Sequence, residues 1–185
     1  MNKVRVLFDS VSEIVGSSQL GIILLTDMKR QRQLTIVCEQ ALAAQIELHA
    51  KRLPINAIML PGVLCRMLKE SCGVDLEIVF TSLVDGQYAT VLLNCETQEM
   101  FPIRASEAVL AHVAGDIPMF VEENLMARQS VGYVASDTNS VAIPINTLSD
   151  DLLEKALEQA IRDENYEFAS LLRKEQQRRE KKDND

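Results

Sequence analysis

Four residues stand where this chain could handle a phosphate: Glu39, Arg104, Ser106 and Glu107. Breaking a phosphodiester takes charge stabilisation at phosphorus, an activated water and a path for the leaving group. Carboxylates holding Mg²⁺ or Mn²⁺ supply much of this, and an arginine clamps the phosphate. Glu39 and Glu107 suit the carboxylate and metal role, and Arg104 the clamp. Both glutamates fall at predicted helix starts, where the helix end itself favours an anion. Each residue also has a plain structural account. A first-turn glutamate is favoured by the helix dipole alone. Ser106 is an ordinary helix cap, worth about 1 kcal/mol, which weighs more than a nucleophilic role. Arg104 would pair with a nearby carboxylate.

Other chemistries find little support. The two histidines, His49 and His112, carry no motif, so a Ser-His-Asp arrangement cannot be built. His112 falls on an apolar helix face and reads as packed; His49 reads as exposed. Cys38, Cys65, Cys72 and Cys95 form no CxxC pair and lie far from both histidines, which argues against zinc. They read as reduced, buried thiols of a cytoplasmic protein. The 7 glycines form neither GxGxxG nor GxxxxGK, so no organic cofactor is expected. A net charge of −8 argues against broad electrostatic binding to nucleic acid, leaving a local groove as the route to such a partner. The opening MNKVRVLFDSVSEIV has charges within its apolar run, so neither a signal peptide nor a membrane span is expected.

The elements that must position these residues follow from periodicity. Residues 3–12, 20–26 and 33–38 read as strands of a meander around a polar turn at 27–32. The period changes at Glu39 to a helix that Pro54 ends. A second helix starts near Pro61, carries Leu64, Met67 and Leu68 on one side, and stops at Gly73. Residues 74–83, 87–94 and 99–104 read as strands, with a hairpin turn at Asp85-Gly86 and Pro102 at an edge or bulge. A short helix from Ser106, the segment Ile117–Val121 and a helix over 122–130 complete residues 1–130. The fold class is α+β: a mixed, mostly antiparallel sheet with packed helices.

Residues 131–149 read as a linker, and 150–182 as a helical hairpin. Ser149 suits a helix cap. One stripe holds Leu152, Leu153, Ala156, Leu157, Ala160 and Ile161. After a break at Asp163-Glu164-Asn165, a second holds Tyr166, Phe168, Ala169 and Leu172. Helices this short need each other, the domain or a partner.

Two stretches resemble known families. Cys38-Glu39-Gln40-Ala41, Pro102-Ile103-Arg104-Ala105-Ser106-Glu107-Ala108-Val109 and Ile117-Pro118-Met119-Phe120-Val121 resemble motifs of the bifunctional nuclease (DNase/RNase) domain family, over about two-thirds of the chain. The resemblance implies a homodimer with a groove near Glu39, Arg104, Ser106 and Glu107, the part of the family's polar set present here. The family's Thr-His-Asp segment falls on Pro61-Gly62-Val63, and a leading Asp on Pro102. The second stretch, LLEKALEQAIRDENYEFASLLRKE, resembles the UvrB/UvrC-type (UVR) motif, which implies protein–protein association through residues 150–182. Two expectations follow: a nuclease with a partly degenerate site and an interaction hairpin, or an inactive adaptor working through that hairpin.

Overall fold

The structure is a computed structural model that describes residues 2–14, 17–133, 148 and 150–182. Two three-stranded antiparallel meanders form most of one sheet. The first holds β1 (Lys3–Ile14), β2 (Ser17–Asp27) and β3 (Arg32–Glu39). The second holds β4 (Leu76–Val84), β5 (Gln87–Asn94) and β6 (Met100–Arg104). The four-residue strand β7 (Met119–Glu122) joins them, antiparallel to β1 and parallel to β4. β8 (Val131–Gly132) pairs with β3, giving the order β6-β5-β4-β7-β1-β2-β3-β8. The fold is thus α+β, as the sequence pattern implies. The stretch read as a linker opens with an edge strand; its residues 134–147, and Ser149, lie outside the described residues.

Local chemistry accounts for most boundaries. At the β4–β5 turn Asp85 and Gly86 have φ of 48° and 74°, the pair of positive values a two-residue hairpin needs. Pro102 sits in β6, at the sheet edge, where its missing N–H costs no ladder bond. Helix α1 (Gln40–Ala50) is shorter than its pattern suggests. Leu53, preceding Pro54, is held extended, and Arg52 turns left-handed at φ 51°, so the helix stops early. A 3₁₀ turn, Pro54–Ile58, leads into α2 (Leu60–Glu70). Helices α3 (Ala105–Gly115) and α4 (Glu123–Gln129) precede and follow β7.

β2 reads as a continuous apolar run because both its faces are covered. Ile23 and Leu25 face the main core, where α1 and α3 lie. Gly21 lets α1 approach: a Cβ there would stand 2.4 Å from the Ala43 Cβ. Leu20, Ile22 and Leu24 face the other way. On that side they meet Val37, Leu148 and the hairpin of α5 (Asp150–Arg162) and α6 (Tyr166–Lys182).

The hairpin's apolar stripe is therefore spent largely on its own domain. Leu153, Ala156, Ala160, Ala169 and Leu172 are buried, while Ile161 and Tyr166, expected in the stripe, point outward. For Tyr166 the start of α6 matters: the Asn165 side chain accepts from Phe168 N–H at 3.2 Å and caps that helix. The side chain of Leu152 lies outside the description. Among the described residues no helix is long and apolar enough to cross a membrane.

Candidate ligand-binding cleft

Three strands of this sheet run into helices with no intervening loop, and two of these junctions, β3–α1 and β6–α3, matter here. Glu39 ends β3 and is the N-cap of α1, with φ −65° and ψ 140°. Arg104 ends β6 and is the N-cap of α3, with φ −64° and ψ 140°. Ser106 is thus in the first turn of α3 rather than its cap, because the helix begins directly at the strand end. Neither helix start has a side-chain capping bond. Their first-turn N–H groups carry the positive end of the dipole without an internal acceptor from the cap.

The helices α1 and α3 pack on each other, which brings both starts to one place. β3 and β5 are five strands apart in the sheet order, yet both contact α3, so the sheet curls around it. The result is a cleft of about 300 Å³ lined by Glu39, Arg104 and Ser106. Glu107 does not line it. Its carboxylate instead accepts from the Arg104 guanidinium at 2.8 Å, the local pairing that residue type invites. Arg104 remains 67% exposed along its side chain, leaving most of its donors facing solvent and the cleft.

Further residues reach the cleft that sequence reasoning did not single out. Tyr88 comes from the β4–β5 hairpin, and Asp151 and Lys155 come from α5, one helical turn apart. The polar flank of α5 becomes a wall only because its apolar stripe docks on β2. No local pattern signals that. The charged lining is balanced, with Glu39 and Asp151 against Arg104 and Lys155. Cys38 also lines the cleft, but burial and then the neighbouring Glu39 charge push its thiol up to about 12. It stays protonated and is no nucleophile near neutral pH. Burial likewise raises the Tyr88 phenol, whose ring meets Phe80 edge-on at 6.3 Å.

Among the described residues no group of three or more His, Cys, Asp or Glu gathers as a metal cage. A Mg²⁺-type ion held by one or two carboxylates plus substrate phosphate needs less. Glu39 and Asp151 are the carboxylates that line the cleft and fit that mode.

The histidines stand elsewhere. His112 donates its Nδ1–H to the Ile117 carbonyl at 2.7 Å and is packed as expected. His49 is 1% exposed, contrary to its sequence reading. The 3₁₀ turn folds over the end of α1, with Asn56 Nδ2 donating to the Leu48 and His49 carbonyls at 3.0 and 3.2 Å. Pro61-Gly62-Val63 form the first turn of α2 and take no part in the cleft. Comparison with protein-family models finds no match for this chain, and comparison with curated proteins finds none either.

Proposed function

We propose that this is a cytoplasmic protein of nuclease type, whose cleft binds the phosphate of a DNA or RNA strand and supports phosphodiester hydrolysis with Mg²⁺ or Mn²⁺. One observation carries the reading: two uncapped helix starts, an arginine and a lysine meet at one cleft of about 300 Å³. That volume is at the small end of ligand sites and suits one nucleotide unit rather than a duplex. The acidic chain also disfavours a long polyanion.

Roles follow from position. The N–H groups of α1 and α3 and the Arg104 guanidinium take the phosphate oxygens, with Ser106 as an added hydroxyl donor. Glu107 positions Arg104. Glu39 supplies the carboxylate, through a divalent ion or towards water; a bound ion would lower the pKa of that water. The test is cleavage of single- and double-stranded substrates with Mg²⁺ or Mn²⁺, beside binding of a short oligonucleotide. Arg104→Ala should weaken binding about tenfold or more, and Glu39→Ala should abolish cleavage while leaving binding. Cleavage unchanged by both substitutions rejects the assignment.

A second reading is favoured by Pro61-Gly62-Val63 and by the hairpin. Here the chain is an adaptor without turnover, and residues 150–182 meet a protein partner. Among the described residues, Ile161, Tyr166 and Leu171 are the large apolar side chains that the hairpin leaves more than half exposed. Binding of nucleotide without cleavage, and loss of a partner on Tyr166→Ala, would select it.

A further inference from the structure

The helix α2 is amphipathic in an unusual sense, because its apolar stripe faces solvent. Leu60, Val63, Leu64 and Met67 follow the i, i+3, i+4, i+7 spacing of one helical face. They are 69%, 36%, 43% and 48% exposed. The opposite face already packs on the domain. Cys65 and Leu68 lie against the main core, and the Cys65 thiol sits 3.8 Å from the Ala111 carbonyl of α3. Leu53, Ile55 and Ile58, from the preceding turn, extend the outer stripe. No charged side chain interrupts it. Together these residues present on the order of 600 Å² of apolar surface, beyond what most free monomers show and most of the ~800 Å² each partner gives a standard interface.

We infer that this face binds the same face of a second copy of the chain, as an antiparallel α2–α2 pair about a two-fold axis. The stripe is self-complementary. An axis between Val63 and Leu64 sets Leu60 against Met67 and Val63 against Leu64 of the other copy, large against large and branched against branched. Isologous contact of this kind closes at two subunits. Charge agrees with it. Arg66 and Lys69 then fall opposite Pro61 and Ile58, so like charges do not meet, and their stems can cover apolar surface. A chain of net charge −8 otherwise repels its own copies, and this uncharged face is where they can approach. α2 packs near the C-terminal end of α3, whereas the cleft lies at the N-terminal end. Pairing therefore leaves both clefts open. The inference rests on α2 and its flanking turn alone and stands whether or not the cleft takes phosphate.

Sedimentation velocity on the full chain tests it. The wild type should sediment at twice the 20.7 kDa of one chain. Leu64→Glu, which places a charge at the axis, should raise the dissociation constant at least roughly 100-fold. Its circular dichroism should be unchanged, since the residue touches no core. Met67→Glu should act in the same way, a second route should either variant misfold. Tyr166→Glu, on the hairpin, should leave the dimer intact. A wild type that is monomeric at roughly 100 µM, far above the dissociation constant of a stable dimer, overturns the inference and leaves the face to another protein. So does a dimer that survives both α2 substitutions, or one that Tyr166→Glu dissociates.

Discussion

α2 and α5 are the two helices of this chain with the clearest apolar stripes, and they end in opposite situations. α5 lays Leu153, Ala156 and Ala160 onto the outer face of β2, where they are at most 2% exposed. α2 turns Leu60, Leu64 and Met67 outward. The difference lies in what the sheet offers. The outer face of β2 presents Leu20, Ile22 and Leu24, and the small residues of α5 let that helix sit close. α2 has no such face left, because α1 and α3 already fill the concave side. A periodic stripe thus records that a surface wants cover. It does not record who supplies it.

The comparison can be broken at its strongest point first. Leu172, fully buried where α6 closes the second core, should cost about 2–5 kcal/mol when cut to alanine, read as urea denaturation. Leu64→Ala should cost less than about 1 kcal/mol at high dilution. Its penalty should grow with protein concentration, because it acts on the paired state. That of Leu172→Ala should not. Equal, concentration-independent losses would erase the distinction between the two helices.

A smaller effect probes the inner face of α2. A Cβ on Gly115 would stand 2.5 Å from the Cys65 Cβ, where α2 leans on α3. Gly115→Ala should therefore destabilise by about 1–3 kcal/mol despite alanine's better helix propensity. A stabilised variant would mean that α2 is held only loosely.

The smallest effect is a pH dependence at His112, on the same helix. Burial holds its imidazole below the ordinary value, partly offset by the Ile117 carbonyl and the Asp116 charge. The unfolded chain then takes up the proton first. Stability is present above pH ~6.5 and declines as pH falls towards the folded-state value. His112→Gln should flatten that acid limb; an unchanged limb would place its origin elsewhere.

Much of the fold was legible because its signals are local. The run LGIILL announced a strand, and Asp85-Gly86 announced a turn. Leu53-Pro54 announced a helix end, though not that Arg52 would turn left-handed two residues before it. The cleft was legible only in part. Glu39 could be placed at a helix start from the change of period; Arg104 falls at a predicted strand end, with the helix starting at Ser106. Tyr88, Asp151 and Lys155 could not be placed, since their meeting depends on the curl of an eight-stranded sheet and on where α5 docks. His49 and Tyr166 were misread as well. The exposure of His49 is decided by a turn several residues further on, and that of Tyr166 by the way α6 starts at its neighbour Asn165.

The parallel pairing of β7 with β4 has a consequence for how the chain acquires its shape. Each meander is built from neighbouring hairpins and can form as soon as its own residues are available. Until residues 119–122 exist, β1 and β4 present raw edges to each other and to any other extended segment nearby. Between the completion of β6 and the arrival of β7 the growing protein is thus two unfinished half-sheets, and four residues stitch them into one.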